Sequence, residues 1–340
     1  MSKLRVTTLA AVLVALTMSA WAQEKAPLVL AQTIPLPGLK DGDFDHFFVD
    51  LPSNRLFLTA EENSAVEIFD LRTNKLIHTI SDVKAPHSMF FRADLNKLFV
   101  VDGEAAEVKI YNGDSYNQTG SIKLLEDADS SLYDPSTKYL YVVNGGKDAK
   151  MTSTMLSIID TTTDKKVGDI KLDSDSLEAM AIEKSGPRLF INVTGKDHVA
   201  AIDREKRKVI ATWPTGQVAK HLVAMSFDEA DHRLFVTTRT PGKLIVLDSE
   251  SGKVVTSLPC VGMNDDMAYD PANKRIYVAG SGFLDVFQQK DADHYEQIGH
   301  VAGAFRAKTA ILVPQLNSYY LAVPHHGAKE AAVRVYKVQP

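Results

Sequence analysis

The chain has 340 residues, 45% hydrophobic and 24% charged, with 38 Lys and Arg against 43 Asp and Glu and a formal net charge of −5. That balance is globular, and an acidic chain repels phosphate backbones, which disfavours nucleic acid as a partner. The single cysteine, Cys260, excludes an intramolecular disulfide and the paired-cysteine attachment of haem.

Residues 1–22 read as a signal peptide: Lys3 and Arg5 form a positive start, Val6–Ala20 is an uncharged and mostly apolar run, and Ala20-Trp21-Ala22 is a small-x-small cleavage site. Cleavage would remove two positive charges, leave residues 23–340 as one domain at a net charge of −7, and place the protein in the periplasm or outside the cell. No cysteine follows the site to take a lipid anchor, and no later segment reaches the roughly 20 apolar residues of a membrane span.

From Leu56 onward one phrase recurs seven times, at intervals of roughly 42 to 49 residues. It starts at Leu56, Leu98, Leu140, Leu189, Leu234, Ile276 and Tyr320. Each copy is an apolar–aromatic run, a loop, and an alternating apolar run that usually ends in Asp, as in LFVTTRTPGKLIVLD. The period suits a four-stranded unit, and such units repeated radially make a β-propeller blade. In the second copy the strands are expected around Ser88–Phe91, Leu98–Val101, Val108–Tyr111 and Gln118–Lys123. Turns such as Leu51-Pro-Ser-Asn, Asp134-Pro-Ser-Thr and Asp270-Pro-Ala-Asn carry hairpin residues. The last copy stops at its third strand, Val333–Val338, whereas Leu28–Leu36 precedes the first copy without a partner. The expected fold is therefore all-β, a seven-bladed propeller closed by an N-terminal strand that completes the last blade.

The phrases LFVV, LYVVN, LFVTT and IYVAG, with turns such as Asp270-Pro-Ala-Asn-Lys and following strands such as IVLD, resemble the YVTN repeat. This repeat marks the YncE-like family of secreted seven-bladed propellers, and the similarity runs from about Leu28 to Val338. The resemblance implies architecture and export. It implies no single chemistry, because the fold hosts many.

Propeller ligands collect at the mouth of the central channel. Aligning the copies on their second strands puts Asp45 and His46, His87, Asp129, Glu178, Asp265 with Asp266, and Lys308 with Thr309 at the entrance to the inner strands. The fifth copy offers Val223 there, with His221 two residues earlier. The loops between second and third strands bring Glu61, Glu62, Asp102, Glu104, Asn144, Lys196, Arg239 and the His325-His326 pair to the same face. Carboxylates with neutral imidazoles suit a transition metal, and calcium if oxygens dominate. His46, His87, His221 and His326 are the expected imidazole ligands of such a divalent cation. The acids of Asp41-Gly-Asp43-Phe-Asp45 do not make an EF-hand, since His46 stands at the sixth place and Pro52 at the twelfth.

Two readings follow. The first is binding of a small molecule, a metal ion or an envelope protein at the mouth. The second is a metal-dependent hydrolase, lyase or oxidoreductase at the same place, with Glu178 or Asp265 as general base. No nucleophile elbow, phosphate-cradling glycine loop or H-E-x-x-H motif accompanies either.

Overall fold

The computed structural model describes residues 26–340, so the signal peptide expected over 1–22 lies outside the described residues. Among these residues, 28 strands form seven four-stranded antiparallel sheets. The first blade comprises Phe47–Asp50, Arg55–Ala60, Ala65–Asp70 and Lys75–Ile80, and the second Pro86–Arg92, Lys97–Asp102, Glu107–Asn112 and Gln118–Lys123. Five more blades follow in the same order. The inner strand of each blade contacts that of the next, and the seventh contacts the first, so the sheets form a ring.

Closure occurs where the N-terminal segment was expected to supply it. Leu28–Leu36 pairs antiparallel with Ala331–Val338, Leu28 opposite Val338 and Leu36 opposite Ala331, with a bulge between Leu30 and Gln32. The seventh sheet thus joins the two ends of the described chain, and its outer edge is covered by a strand from the opposite terminus.

The core is divided among the seven interfaces between blades. Side chains alternate along a strand, so Leu56 and Leu58 pack toward the seventh blade with Val333 and Tyr320. Phe57, between them, packs toward the second blade with Leu98 and Tyr111. Leu98 and Val100 face back toward the first blade, and Phe99 and Val101 face the third. Both faces of the second strand are therefore buried, and this is why the repeated phrase is a continuous apolar run. The Asp that ends most copies has a separate cause. Asp160 accepts the Thr162 N–H at 2.9 Å and Asp248 the Ser251 N–H at 2.8 Å, closing the hairpin to the outer strand. Among the described residues no helix is long and apolar enough to cross a membrane.

Candidate functional site

Each inner strand begins at one face of the ring, and bonds between blades hold those beginnings in place. The buried Thr59 hydroxyl accepts the His46 N–H at 2.8 Å and lies 2.7 Å from the His87 carbonyl, joining the first blade to the second. Thr309 Oγ1 donates to the Phe44 carbonyl at 2.9 Å, joining the seventh to the first. Asn192 Nδ2 donates to the Val223 carbonyl at 2.8 Å, joining the fourth to the fifth. In the second, fifth and sixth blades a bulge interrupts the pairing at this end of the inner strand. Bulges re-aim side chains, and these three carry His87, Val223 and Asp265 to the mouth.

The result is a cavity of about 160 Å³ bordered by Asp45, His46, Glu61, His87, Asp129, Glu178, Val223, Arg239, Asp265 and Lys308. Eight of the nine residues picked from the sequence as ligand candidates meet there. The ninth, His221, does not: it is exposed at φ 58°, with its N–H on Asp197 Oδ1 at 2.9 Å, and Val223 takes the place at the cavity. His326 is also outside. It is exposed and packs on the Phe305 ring at 4.5 Å. Of the four imidazoles expected to bind a metal, only His46 and His87 reach the mouth.

Two further acids belong to the arrangement. Glu61, at the start of a one-turn 3-10 segment Glu61–Asn63, borders the cavity, and Asp266 stands 3.5 Å from His46 Nδ1. Both lie at aligned mouth positions, the only sequence signal that could have singled them out. Asp102 and Asn144, from equivalent loops, are instead buried and bonded to their own surroundings. Lys196 pairs with Asp173.

The charges are distributed unevenly. Asp265 is shared between Lys308, at 2.9 Å, and Arg239. Across the cavity His87 Nδ1 is 2.7 Å from Asp45 Oδ2 and 3.6 Å from Asp129, and its Nε2 is 3.9 Å from Glu61. His46 Nε2 lies 3.8 Å from Asp45 Oδ1. Glu178 faces the same cavity, where the Arg239 charge only partly offsets those of Asp129 and Asp265. Toward the opposite face, His46 also borders a second cavity of about 460 Å³ walled by Phe48, Phe90 and Tyr133. The Phe90 and Tyr133 rings stack with centroids 3.9 Å apart. An apolar wall of this kind lowers the local dielectric and strengthens every charge beside it.

Proton affinities follow from this crowding. Burial, with the charges of Asp45 and Asp129 adding, pushes Glu61 up to about 7. Burial and the Asp45 charge push Asp129 up to about 6. Glu178 is held well above the usual carboxylate range by burial and by Asp129 and Asp265. For His87 burial disfavours the charge, but the hydrogen bond to Asp45 and the surrounding carboxylates outweigh it and hold the imidazole at about 10. Burial is likewise outweighed at His46, which Asp45 and Asp266 raise well above its ordinary value. Asp45 is held well below the ordinary value, because His46, His87 and Lys308 together overcome the effect of its burial.

No protein-family model and no curated protein sequence matches the chain. Among solved structures, it is similar to a chain of Kuenenia stuttgartiensis hydrazine synthase, at a TM-score of 0.71 and 18% identity over 84% of this chain and 95% of that one. It is also similar to a chain of a mitotic checkpoint complex, at a TM-score of 0.74 and 13% identity over 99% of this chain and 100% of that one. The likeness is one of fold. At these identities it carries no activity, ligand or partner across.

Proposed function

We propose that the protein is an exported propeller of the YVTN-repeat type, periplasmic or secreted, that binds a small ligand at its channel mouth, and that this ligand is a divalent cation. The observation that carries the reading is the convergence of Asp45, His46, Glu61, His87 and Asp129 on one cavity. Within it, two three-residue groups have donor atoms within 4.8 Å of one another. Imidazole with carboxylate suits zinc, manganese or iron better than calcium, which prefers oxygen alone. His87 holds its proton at neutral pH and Glu61 is partly protonated there, so binding would release protons and strengthen as pH rises.

Elemental analysis of the mature protein, purified without chelator or His-tag, tests the reading beside Asp45→Asn. The expected result is bound metal in the wild type and its loss in the variant. No metal in either, with added Zn²⁺, Mn²⁺ and Ca²⁺ all failing to raise the melting temperature, would remove the cation and leave a small polar molecule or an envelope protein as the ligand.

A second reading, catalysis, has its own supporting observation: Glu61 and Asp129 change protonation near neutrality while facing a cavity, as general acids and bases do. Asp265 suits the base role poorly, because Lys308 and Arg239 already engage it. Glu178, which burial and the charges of Asp129 and Asp265 hold well above the ordinary carboxylate range, suits a proton donor better than a base. Hydrolysis of simple lactones and esters across pH 5–9, with Glu61→Gln abolishing the limb near pH 7, would establish this role. Absence of turnover with metal bound would leave binding alone.

A further inference from the structure

Asp45, His46 and Asp129 form one group of donor atoms within 4.8 Å of one another, and Asp45, Glu61 and His87 form another. Neither group contains both imidazoles, so each histidine has its own pair of carboxylates at that spacing. Asp45 belongs to both groups and divides its oxygens between them, Oδ2 toward His87 and Oδ1 toward His46. Each group holds one imidazole and two carboxylates, a mixed N and O set that suits first-row divalent ions.

Both imidazoles are fixed from outside the cavity. His46 turns Nδ1 toward Asp266, whose Oδ2 accepts the Ala310 N–H at 2.7 Å, and so directs Nε2 toward Asp45. A carboxylate behind a ligating histidine sets the ring's orientation in many metal sites. His87 is positioned by contact. A methyl group on Gly103 would come within 2.8 Å of His87 Cδ2 and Nε2, so the ring lies flush against bare backbone.

We propose that the mouth holds two divalent first-row ions, one on Asp45, His46 and Asp129 and one on Asp45, Glu61 and His87, with the Asp45 carboxylate shared between them. This rests on the cation reading above. Lys308 and Arg239 both pair with Asp265, so the nearest cationic groups to the acids on the other wall are the two imidazoles. Two ions would satisfy them. Paired metal sites place their ions about 3.5–4 Å apart, a separation that one carboxylate spans.

Mn²⁺ titration of the mature, metal-stripped protein tests the proposal, with bound metal counted and low-temperature electron paramagnetic resonance recorded. The expected result is two equivalents and the spectrum of a coupled pair. His46→Ala and Glu61→Gln should each keep one equivalent and lose the coupling. Asp45→Asn should lose the coupling and bind both ions at least tenfold more weakly. His221→Ala, outside the mouth, should keep two coupled ions. If Asp45→Asn fails to fold, His46→Ala and Glu61→Gln decide the matter alone. A single equivalent in the wild type, or two without coupling, would overturn the shared site and leave the cation reading standing. No bound Mn²⁺ or Zn²⁺ would overturn both.

Discussion

Asp129 and Asp134 lie at opposite ends of the inner strand of the third blade, and their surroundings differ in kind. Asp134, 1% exposed, accepts the Ser136 N–H at 2.9 Å, the Ser136 hydroxyl at 2.6 Å and the Thr137 hydroxyl at 2.9 Å, and pairs with Arg204. These partners outweigh its burial and hold it below the ordinary carboxylate value. Asp129 has no side-chain hydrogen bond among the described residues and stands 3.6 Å from a shared imidazole. Burial and the Asp45 charge hold it above the ordinary value. One acid closes a turn. The other is kept where its charge is poorly met. The turn thus holds a carboxylate that stabilises the fold, whereas at the mouth Asp129, Glu61 and Glu178 are raised by burial and by neighbouring acids.

The largest effect should come from breaking the satisfied acid. Asp134→Ala removes the bonds from Ser136 and Thr137 and the ion pair with Arg204, which keeps the carbonyls of Pro187, Glu183 and Gly186. At roughly 1 kcal/mol per lost bond the cost is about 3–4 kcal/mol, and urea unfolding would measure it. Asp129→Asn should leave the metal-free protein unchanged or slightly more stable, while weakening Mn²⁺ binding at least tenfold. A loss of stability from Asp129→Asn comparable to that from Asp134→Ala would erase the contrast.

Next in size is Gly103→Ala. The added carbon would lie 2.8 Å from His87 and 2.9 Å from the Ala128 carbonyl, so the ring has to move. Overpacking of this kind costs about 1–3 kcal/mol. Metal affinity should fall with it, because His87 leaves its place; calorimetry with Mn²⁺ would detect the change.

The pH dependence separates the two faces by sign. Glu61 and Asp129 have ordinary values of 4.5 and 3.8 and are raised to about 7 and about 6, so the folded state holds protons that the unfolded chain has lost. Stability of the metal-free protein should therefore fall as pH rises from about 4 to 7. His87 contributes in full below its ordinary value of 6.5, and its contribution is lost as pH rises to about 10. The two slopes agree, and the melting temperature in chelator should decline from pH 5 to 9. Glu61→Gln should flatten the lower half. Asp134 acts in the other direction: its contribution is present above 3.8 and lost on acidification.

The smallest effects belong to the two histidines that miss the cavity. His221→Ala and His326→Ala should change stability by no more than about 0.5 kcal/mol, as exposed positions do. Metal binding should be unaltered. A tenfold loss in either would require a loop rearrangement that carries the imidazole inward.

Much of the fold was legible because its causes are local. Alternation buries both faces of the second strand, Asp closes the hairpin beyond the third, and a strand left over at Leu28–Leu36 matches one missing at the end. The candidate site was legible as a set of aligned positions. It was less legible as a set of side chains, because a shift of one residue in a strand turns every side chain to the other face. His221 and Val223 illustrate this. The bulge between Leu222 and Met225 leaves the histidine exposed and brings the valine to the mouth. Glu61 reaches the cavity through a one-turn 3-10 segment ending in a left-handed residue at Ser64, a conformation that the residue types there do not demand. The sequence by itself determined the number of blades, their strands and the closure of the ring, because alternation and turn chemistry act over a few residues. Which acids and imidazoles face one another was decided only in the tertiary structure. Their spacing depends on bulges and loops in blades far apart along the chain, and so do the charges that set their protonation.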